Sequence, residues 1–126
     1  MNISKPYSIS FVIPCLNEQA TLSLILGKIN KVCKTDFKDR NTNVIVSDNG
    51  STDNSQEIAK KYGAEVIHCK KRGYGAALQF GIKHATHEII VFADADNTYD
   101  FLETPKLINE LEKGFDFVYG TRLKGN

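Results

Sequence analysis

Residues 89–100 read IIVFADADNTYD. Five uncharged residues, Ile89 to Ala93, run straight into three carboxylates, Asp94, Asp96 and Asp100. A short apolar run bounded by turn-forming residues reads as a strand covered on both faces. The acids then stand at that strand's end.

The same unit recurs along the chain. Ile9 to Pro14 (ISFVIP) is an apolar run closed by proline, and PCLNE follows it. From Glu18 the period changes: Leu22, Ile25, Leu26, Ile29, Val32 and Cys33 fall on one helical face, with Asn17 as candidate cap. Residues 34–43 read as a polar loop. Val44 to Ser47 is a second strand, followed by the turn-rich DNGSTDNS. A helix with Ile58, Ala59 and Tyr62 inward ends at Gly63. Glu65 to Cys69 is a third strand, KKRGYG a basic loop, and Ala76 to Ala85 a helix with Leu78, Ile82 and Ala85 on its stripe. After the Ile89–Ala93 strand, Thr104 and Pro105 make a cap and first-turn pair for a helix reaching Gly114, and Phe115 to Tyr119 is a fifth strand.

Strict alternation of strands and helices predicts an α/β fold, a Rossmann-like, mostly parallel sheet with helices on both faces. At 126 residues a single domain over residues 1–126 is expected. In such sheets ligands bind beyond the carboxyl ends of the strands. Each polar cluster, PCLNE, DNGSTD, KKRGYG and DADNTYD, lies at such an end.

Composition narrows the classes. The net charge is +1, so no global field draws nucleic acid or a membrane surface. The three cysteines, Cys15, Cys33 and Cys69, fit neither a disulfide framework nor a zinc pattern. They read as reduced, and the compartment as cytoplasmic. The opening MNISKPYSIS lacks a signal-peptide core, and no stretch approaches the roughly 20 apolar residues that span a bilayer.

Chemistry concentrates in the acids. On an extended chain Asp94 and Asp96 point to one side, about 6.6 Å apart at their Cα atoms. Two ionised carboxylates at that distance repel by roughly 2.5 kcal/mol at an effective dielectric of about 20, and a divalent cation reverses the sign. One of the pair can instead accept from a ribose hydroxyl. A pair of solvated turn aspartates is the plain alternative. Asp48, ending a buried strand, can accept from a ribose hydroxyl or a base N–H, whereas Asp53 with Gln56 resembles a capping box. Asn17 and Glu18 alone are weak signals, a cap and a first-turn charge. Lys70, Lys71 and Arg72 precede a helix N-terminus, a geometry suited to phosphate. Gly73 and Gly75 fit only the start of a dinucleotide fingerprint, because Leu78 stands where its third small residue belongs. His68, His84 and His87 have no metal-binding spacing.

The ordered set VIPCLNE, VSDNGSTD, RGYGAALQFGI, FADADNTYD and VYGTR, spread over about residues 8–126, resembles the family 2 glycosyltransferases of GT-A fold. It is most similar to the branch that transfers sugars to polyprenyl or dolichyl phosphate. The resemblance implies an inverting glycosyltransferase whose donor is a UDP- or GDP-linked sugar and whose acceptor is a polyprenyl-phosphate-type lipid. Pro14, Asn17, Glu18 and Asp48 would lie against the nucleotide, with Arg72 and Gly75 bordering the donor. Asp94, Ala95 and Asp96 match the DxD motif, in which the two acids hold Mg²⁺ or Mn²⁺ on the diphosphate. Arg122 matches a position near the donor sugar and phosphates. In that family the acceptor-binding half and usually the catalytic base lie beyond the fifth strand. The sequence given ends at Asn126, so the resemblance places the catalytic base beyond Asn126 and assigns that role to no residue of this chain. The expectation is therefore a donor-binding domain truncated before the acceptor-binding half, its parent working at the cytoplasmic face of a membrane. An exposed sheet edge would favour self-association.

Two other readings compete. DADNT also fits the first motif of haloacid dehalogenase-like phosphatases, with Asp94 as nucleophile and Asp96 as general acid. That motif normally opens its domain, whereas only 30 residues follow Asp96 here. The other is a non-catalytic nucleotide-binding module.

Overall fold

The structure, a computed structural model, describes residues 6–113. Four strands, β1 (Ile9–Cys15), β2 (Thr42–Asp48), β3 (Glu65–His68) and β4 (Ile89–Phe92), alternate with α1 (Gln19–Lys34), α2 (Ser55–Lys61) and α3 (Tyr74–His84). A 3₁₀ turn at Phe101–Glu103 leads into α4 (Thr104–Glu112). The sheet order is β3-β2-β1-β4 and every pairing is parallel. The α/β sheet expected from the alternation is present. The predicted fifth strand, the helix stop at Gly114, Arg122 and Asn126 lie outside the described residues. The position past Asn126 where the catalytic base is expected also lies outside the described residues.

β1 is the central spine, buried along its whole length. Its odd residues Ile9, Phe11, Ile13 and Cys15 join Leu22, Ile25, Leu26 and Ile29 of α1 in one core. Its even residues face the other way, where α3 covers Val12 and Ser47. Helices thus cover both faces, which is why strand and helix periods are both apolar here. On that α3 side β4 keeps Ile90 and Phe92 exposed, and among the described residues β4 is an edge strand.

The packing of α3 departs from the predicted stripe. Leu78, Ile82 and Ala85 are only half-buried, and the inward residues are Ala77 and Gly81. The reason is close approach. A Cβ on Gly81 would stand 2.5 Å from Val12 Cγ1 and 3.3 Å from Ser47 Cβ. The helix lies so near the sheet that only small residues fit between. Gly81→Ala should therefore destabilise by about 1–2 kcal/mol, because overpacking outweighs the roughly 1 kcal/mol gained in helix propensity. The double variant with Val12→Ala should recover part of that loss in urea unfolding; strict additivity would show that the two sites do not touch.

Thr104 is also corrected. It is the first residue of α4 rather than its cap, fully buried, with Oγ1 3.3 Å from the Tyr99 hydroxyl. Pro105 does occupy the first turn.

Candidate functional site

Because all strands are parallel, the loops after β1, β2, β3 and β4 meet at one edge of the sheet. The chain passes from β1 to β2 on one side, while β4 pairs on the other. The switch point between β1 and β4 is where such folds leave a crevice.

On the β4 side the strand ends at Phe92, and Ala95 and Asp96 lie in a turn. The extended geometry assumed for the two acids is thus replaced by a bent one, because local hydrogen bonds win over strand extension. Asp96 Oδ1 accepts from Thr98 N at 3.1 Å and from Thr98 Oγ1 at 2.7 Å, and Asn97 takes φ 66°. The Thr21 hydroxyl of α1 donates to the Ala95 carbonyl, and Lys28 Nζ lies 3.5 Å from Asp100 Oδ1. Asp94 is half-buried, and its Oδ1 is buried with no hydrogen-bond partner among the described residues. Asp96 is exposed.

Across the crevice stands Glu18, the N-cap residue of α1. Burial raises its pKa above the ordinary glutamate value, and the nearby charges of Asp96, Asp94 and Asp53 push it further up. Negative charge is therefore in excess between the β1 and β4 loops.

Asn17 is not the cap predicted for α1. It takes φ 53° and turns its side chain onto the β2–α2 loop, where Oδ1 accepts from Thr52 N at 2.8 Å and Asp53 N at 3.2 Å. The first turn of α1 is satisfied instead from across the site. Ser55 Oγ accepts from Glu18 N at 2.9 Å, and Asp53 Oδ2 from Gln19 N at 3.2 Å. The capping box expected for Asp53 and Gln56 does not form, since the Gln56 amide donates to Asp48 Oδ2 at 2.9 Å. Desolvation works to raise the Asp53 pKa, but the hydrogen bonds from Ser55 and Gln19 carry it below the ordinary aspartate value.

Asp48 is 1% exposed. Its Oδ2 accepts from Gly50 N at 3.0 Å, Ser51 N at 2.9 Å and Gln56, while Oδ1 is buried without a partner among the described residues. Buried polar atoms normally find a partner, so two orphaned carboxylate oxygens at strand ends along one sheet edge call for a ligand or ion. Ser47 Oγ is orphaned too, but it faces Gly81 of α3, away from this edge. Pro14 is buried in β1, in register with Ser47 of β2. Arg72 is exposed on the β3–α3 loop, and Gly75 is the second residue of α3.

Among the described residues no group of three or more acids, histidines or cysteines could enclose a metal ion. A Mg²⁺-type ion needs only one or two carboxylates, its other positions going to phosphate oxygens and water. Asp94 with its orphaned oxygen, and Asp96 with one oxygen outside the Thr98 turn, fit that need. The upward-shifted Glu18 beside them shows charge that a cation would relieve.

Comparison with known proteins decides the family. The family described as glycosyl transferase family 2 matches residues 10–126. The chain belongs to it. An uncharacterised glycosyltransferase of Mycobacterium tuberculosis is 36% identical over 115 residues, covering 91% of this chain and 49% of the relative. A dolichyl-phosphate hexose transferase of Haloferax volcanii is 30% identical over 91% of this chain and 48% of its own. Glucosyl-3-phosphoglycerate synthase of Mycobacterium tuberculosis, solved with Mn²⁺, UDP-glucose and phosphoglyceric acid, superposes with TM-score 0.72 at 28% identity, covering 86% of this chain and 40% of that one. The chain spans about half the length of the curated relatives it matches. The likeness to that synthase agrees with the GT-A fold that the five motifs implied.

Several residues that build the site of this family 2 domain carry no sequence signal. Thr21 and Ser55 act through hydrogen bonds to loops 74 and 37 residues away, and Gln56, whose spacing points only to a capping box, bonds Asp48 instead; no spacing rule reports such contacts. Cys15 sits beneath the same loops, 3% exposed, and burial pushes its thiol up to about 11, with Asp48 adding to the rise. All three cysteines are free, as read from their spacing. Because the folded state keeps the Cys15 proton, its contribution to stability is full below 9.0 and is lost as pH climbs through about 11. At pH 8 Cys15 should stay unlabelled by iodoacetamide until the chain unfolds, as read by peptide mass mapping. Rapid native labelling would contradict its burial.

Proposed function

We propose that this domain binds the nucleotide sugar donor of an inverting glycosyltransferase, with a divalent ion on the diphosphate, and that the acceptor is a polyprenyl-phosphate-type lipid. The observation that carries the donor reading is the orphaned, buried oxygen of Asp94 beside Asp96 and the charge-crowded Glu18 at the switch point. The Mn²⁺ and UDP-glucose bound by the glucosyl-3-phosphoglycerate synthase support it, and the dolichyl-phosphate hexose transferase relative supports the lipid acceptor.

Each residue then has a task. Asp94 and Asp96 would hold Mg²⁺ or Mn²⁺, with Ala95 fixed between them by Thr21. When bound, the ion neutralises charge on the departing nucleoside diphosphate. Asp48 offers its free oxygen to a ribose hydroxyl or a base N–H. Glu18 and the backbone at Pro14 and Asn17 border the nucleotide from β1. Arg72, with the first N–H groups of α3 at Gly75, offers positive charge to the donor, and Arg122 is assigned to the donor sugar and phosphates. The base that deprotonates the acceptor is assigned to sequence beyond Asn126. The phosphatase reading of Asp94 loses its support with the family assignment.

Calorimetric titration of UDP, GDP, UDP-glucose and GDP-mannose, each with Mn²⁺ and with EDTA, tests this. Binding of one nucleotide class only in the presence of metal is the expected result. Folded chain that binds none of them, or binds equally in EDTA, would overturn the reading.

A further inference from the structure

The β3–α3 loop carries Arg72, yet the loop itself is held in place by one side chain from a different loop. Asn49, 6% exposed, directs its amide nitrogen to the carbonyls of Cys69 at 3.1 Å and Lys71 at 2.8 Å. Its Oδ1 accepts from Gly73 N at 2.9 Å. Three of the four hydrogen bonds an asparagine amide can make are thus spent on alternate residues of the loop, flanking Lys70 and Arg72. Gly73 takes φ 116° and is the N-cap residue of α3, so the third bond also fixes where that helix starts. Cys69 adds a weaker tie, its Sγ donating to Lys71 O at 3.3 Å. By sequence, Asn49-Gly50 reads only as a tight turn. The Asn49 amide hydrogens are already committed to the protein backbone, which leaves the residue little to offer a base.

We propose that Asn49 is a positioning residue of the donor site: its amide sets the 69–73 loop, and through it Arg72 and the start of α3, in the geometry that receives the nucleotide. This rests on the donor-site reading above. Asn17 ties the β1 loop to the β2 loop, and Asn49 ties the β2 loop to the β3 loop, so the two asparagines hold three walls of the crevice to one another before any ligand arrives. A loop ordered in advance avoids the cost of ordering it on binding.

The test uses Asn49→Ala, Asn49→Asp, Arg72→Ala and the double variant of Asn49→Ala with Arg72→Ala. Hydrogen exchange is followed without ligand, and UDP and GDP are titrated with Mn²⁺. Asn49→Ala should speed exchange at Gly73 about tenfold or more while leaving β1 and β2 protected, and should weaken nucleotide binding about tenfold. Arg72→Ala should then cost little more in that background. Asn49→Asp keeps an acceptor for Gly73 N but sets a carboxylate against two carbonyls, so it should weaken binding with Gly73 still protected. Multiplicative losses in the double variant, or unchanged exchange at Gly73, overturn the proposal. So does a general loss of protection across the sheet in both Asn49 variants, which would make the residue a structural one. Wild-type chain that binds neither UDP nor GDP overturns the donor-site reading and this inference together, whereas wild-type binding unaffected by Asn49 variants sinks this inference alone.

Discussion

Asp94→Asn is expected to weaken Mn²⁺-dependent nucleotide binding at least about 100-fold while making the ligand-free chain more stable. The two effects share a cause. Asparagine keeps the shape around the buried oxygen but removes its charge, and truncating a charge that pairs with a buried ionic partner costs about 2–5 kcal/mol of affinity. In the ligand-free chain Asp94 Oδ1 is buried with no hydrogen-bond partner among the described residues, and its charge presses on Glu18, whose pKa is already raised by burial and by Asp96 and Asp94. Sites built for a ligand commonly trade stability for function in this way. Asp96 presses on Glu18 more than Asp94 does. Asp96→Asn should still show the smaller stability gain, because Asp96 is exposed and screened by solvent and its Oδ1 already accepts from Thr98, whereas Asp94 Oδ1 is buried without a partner among the described residues. Asp100→Asn is the control. Asp100 comes from the same acidic stretch but accepts from Leu102 N at 3.0 Å and lies near Lys28. Calorimetry and thermal melts with and without Mn²⁺ read all three. A loss at Asp100 equal to that at Asp94 would mean that the wrong acids have been assigned.

The largest stability effect is expected at Phe101. Its ring is fully buried, 4.9 Å from Tyr99 at 87° and 6.1 Å from Phe11 at 65°, both edge-to-face arrangements. Phe11 lies in the central strand, so Phe101 is the rivet that returns the chain to the core after the acidic turn. Phe101→Ala should cost about 3–5 kcal/mol, most of it cavity and lost apolar burial, with about 0.5–1.5 kcal/mol from each ring pair included. Against a typical total of about 5–15 kcal/mol this is a large share. Urea unfolding with an unchanged slope is the measurement, and a loss under about 1 kcal/mol would show that the ring is not anchored as described. Phe101→Leu should retain most of the stability and still loosen metal-dependent binding, because the 93–100 segment is strung between β4 and this ring.

The layout of the fold is legible because short apolar runs and helical stripes differ in period, even at β4, whose Ile90 and Phe92 are exposed among the described residues. The runs ISFVIP, VIVS and IIVF alternate with helical stripes, and periodicity locates each of the first four strands to within about two residues of its observed limits. Legibility fails in the part of the chain where one hydrogen bond decides. An extended reading of the Asp94–Asp96 pair misses the turn that the Thr98 backbone and hydroxyl impose. Asn17 looks like a local cap but bonds the β2–α2 loop, and Asp53 serves two helices, accepting from Ser55 N of α2 and from Gln19 N of α1, because residue type signals capping without saying which helix is capped. The α3 stripe shows in its larger side chains, although the closest contact with the sheet is made where a side chain is missing, at Gly81. Asp48 and Asp94 stand out because an acid ending an apolar strand is anomalous in any sheet. Asn49 does not, since its work depends on a loop more than 20 residues further on.

The crossed capping of α1 has a bearing on how the chain acquires its structure. A helix whose first turn is closed by its own neighbours can form early and alone. Here the closing groups, Asp53 and Ser55, arrive 34 and 37 residues later in the chain, after β2 has been laid beside β1. The start of α1 is therefore non-local, and the entropy of closing that loop has to be met before the bonds repay it. Helix and loop become ordered in the same step, so β1, α1, β2 and the start of α2 form one cooperative folding unit. The wall between β1 and β2 is therefore expected to gain hydrogen-exchange protection in one step during refolding, and protection of α1 ahead of the 48–55 loop would count against it.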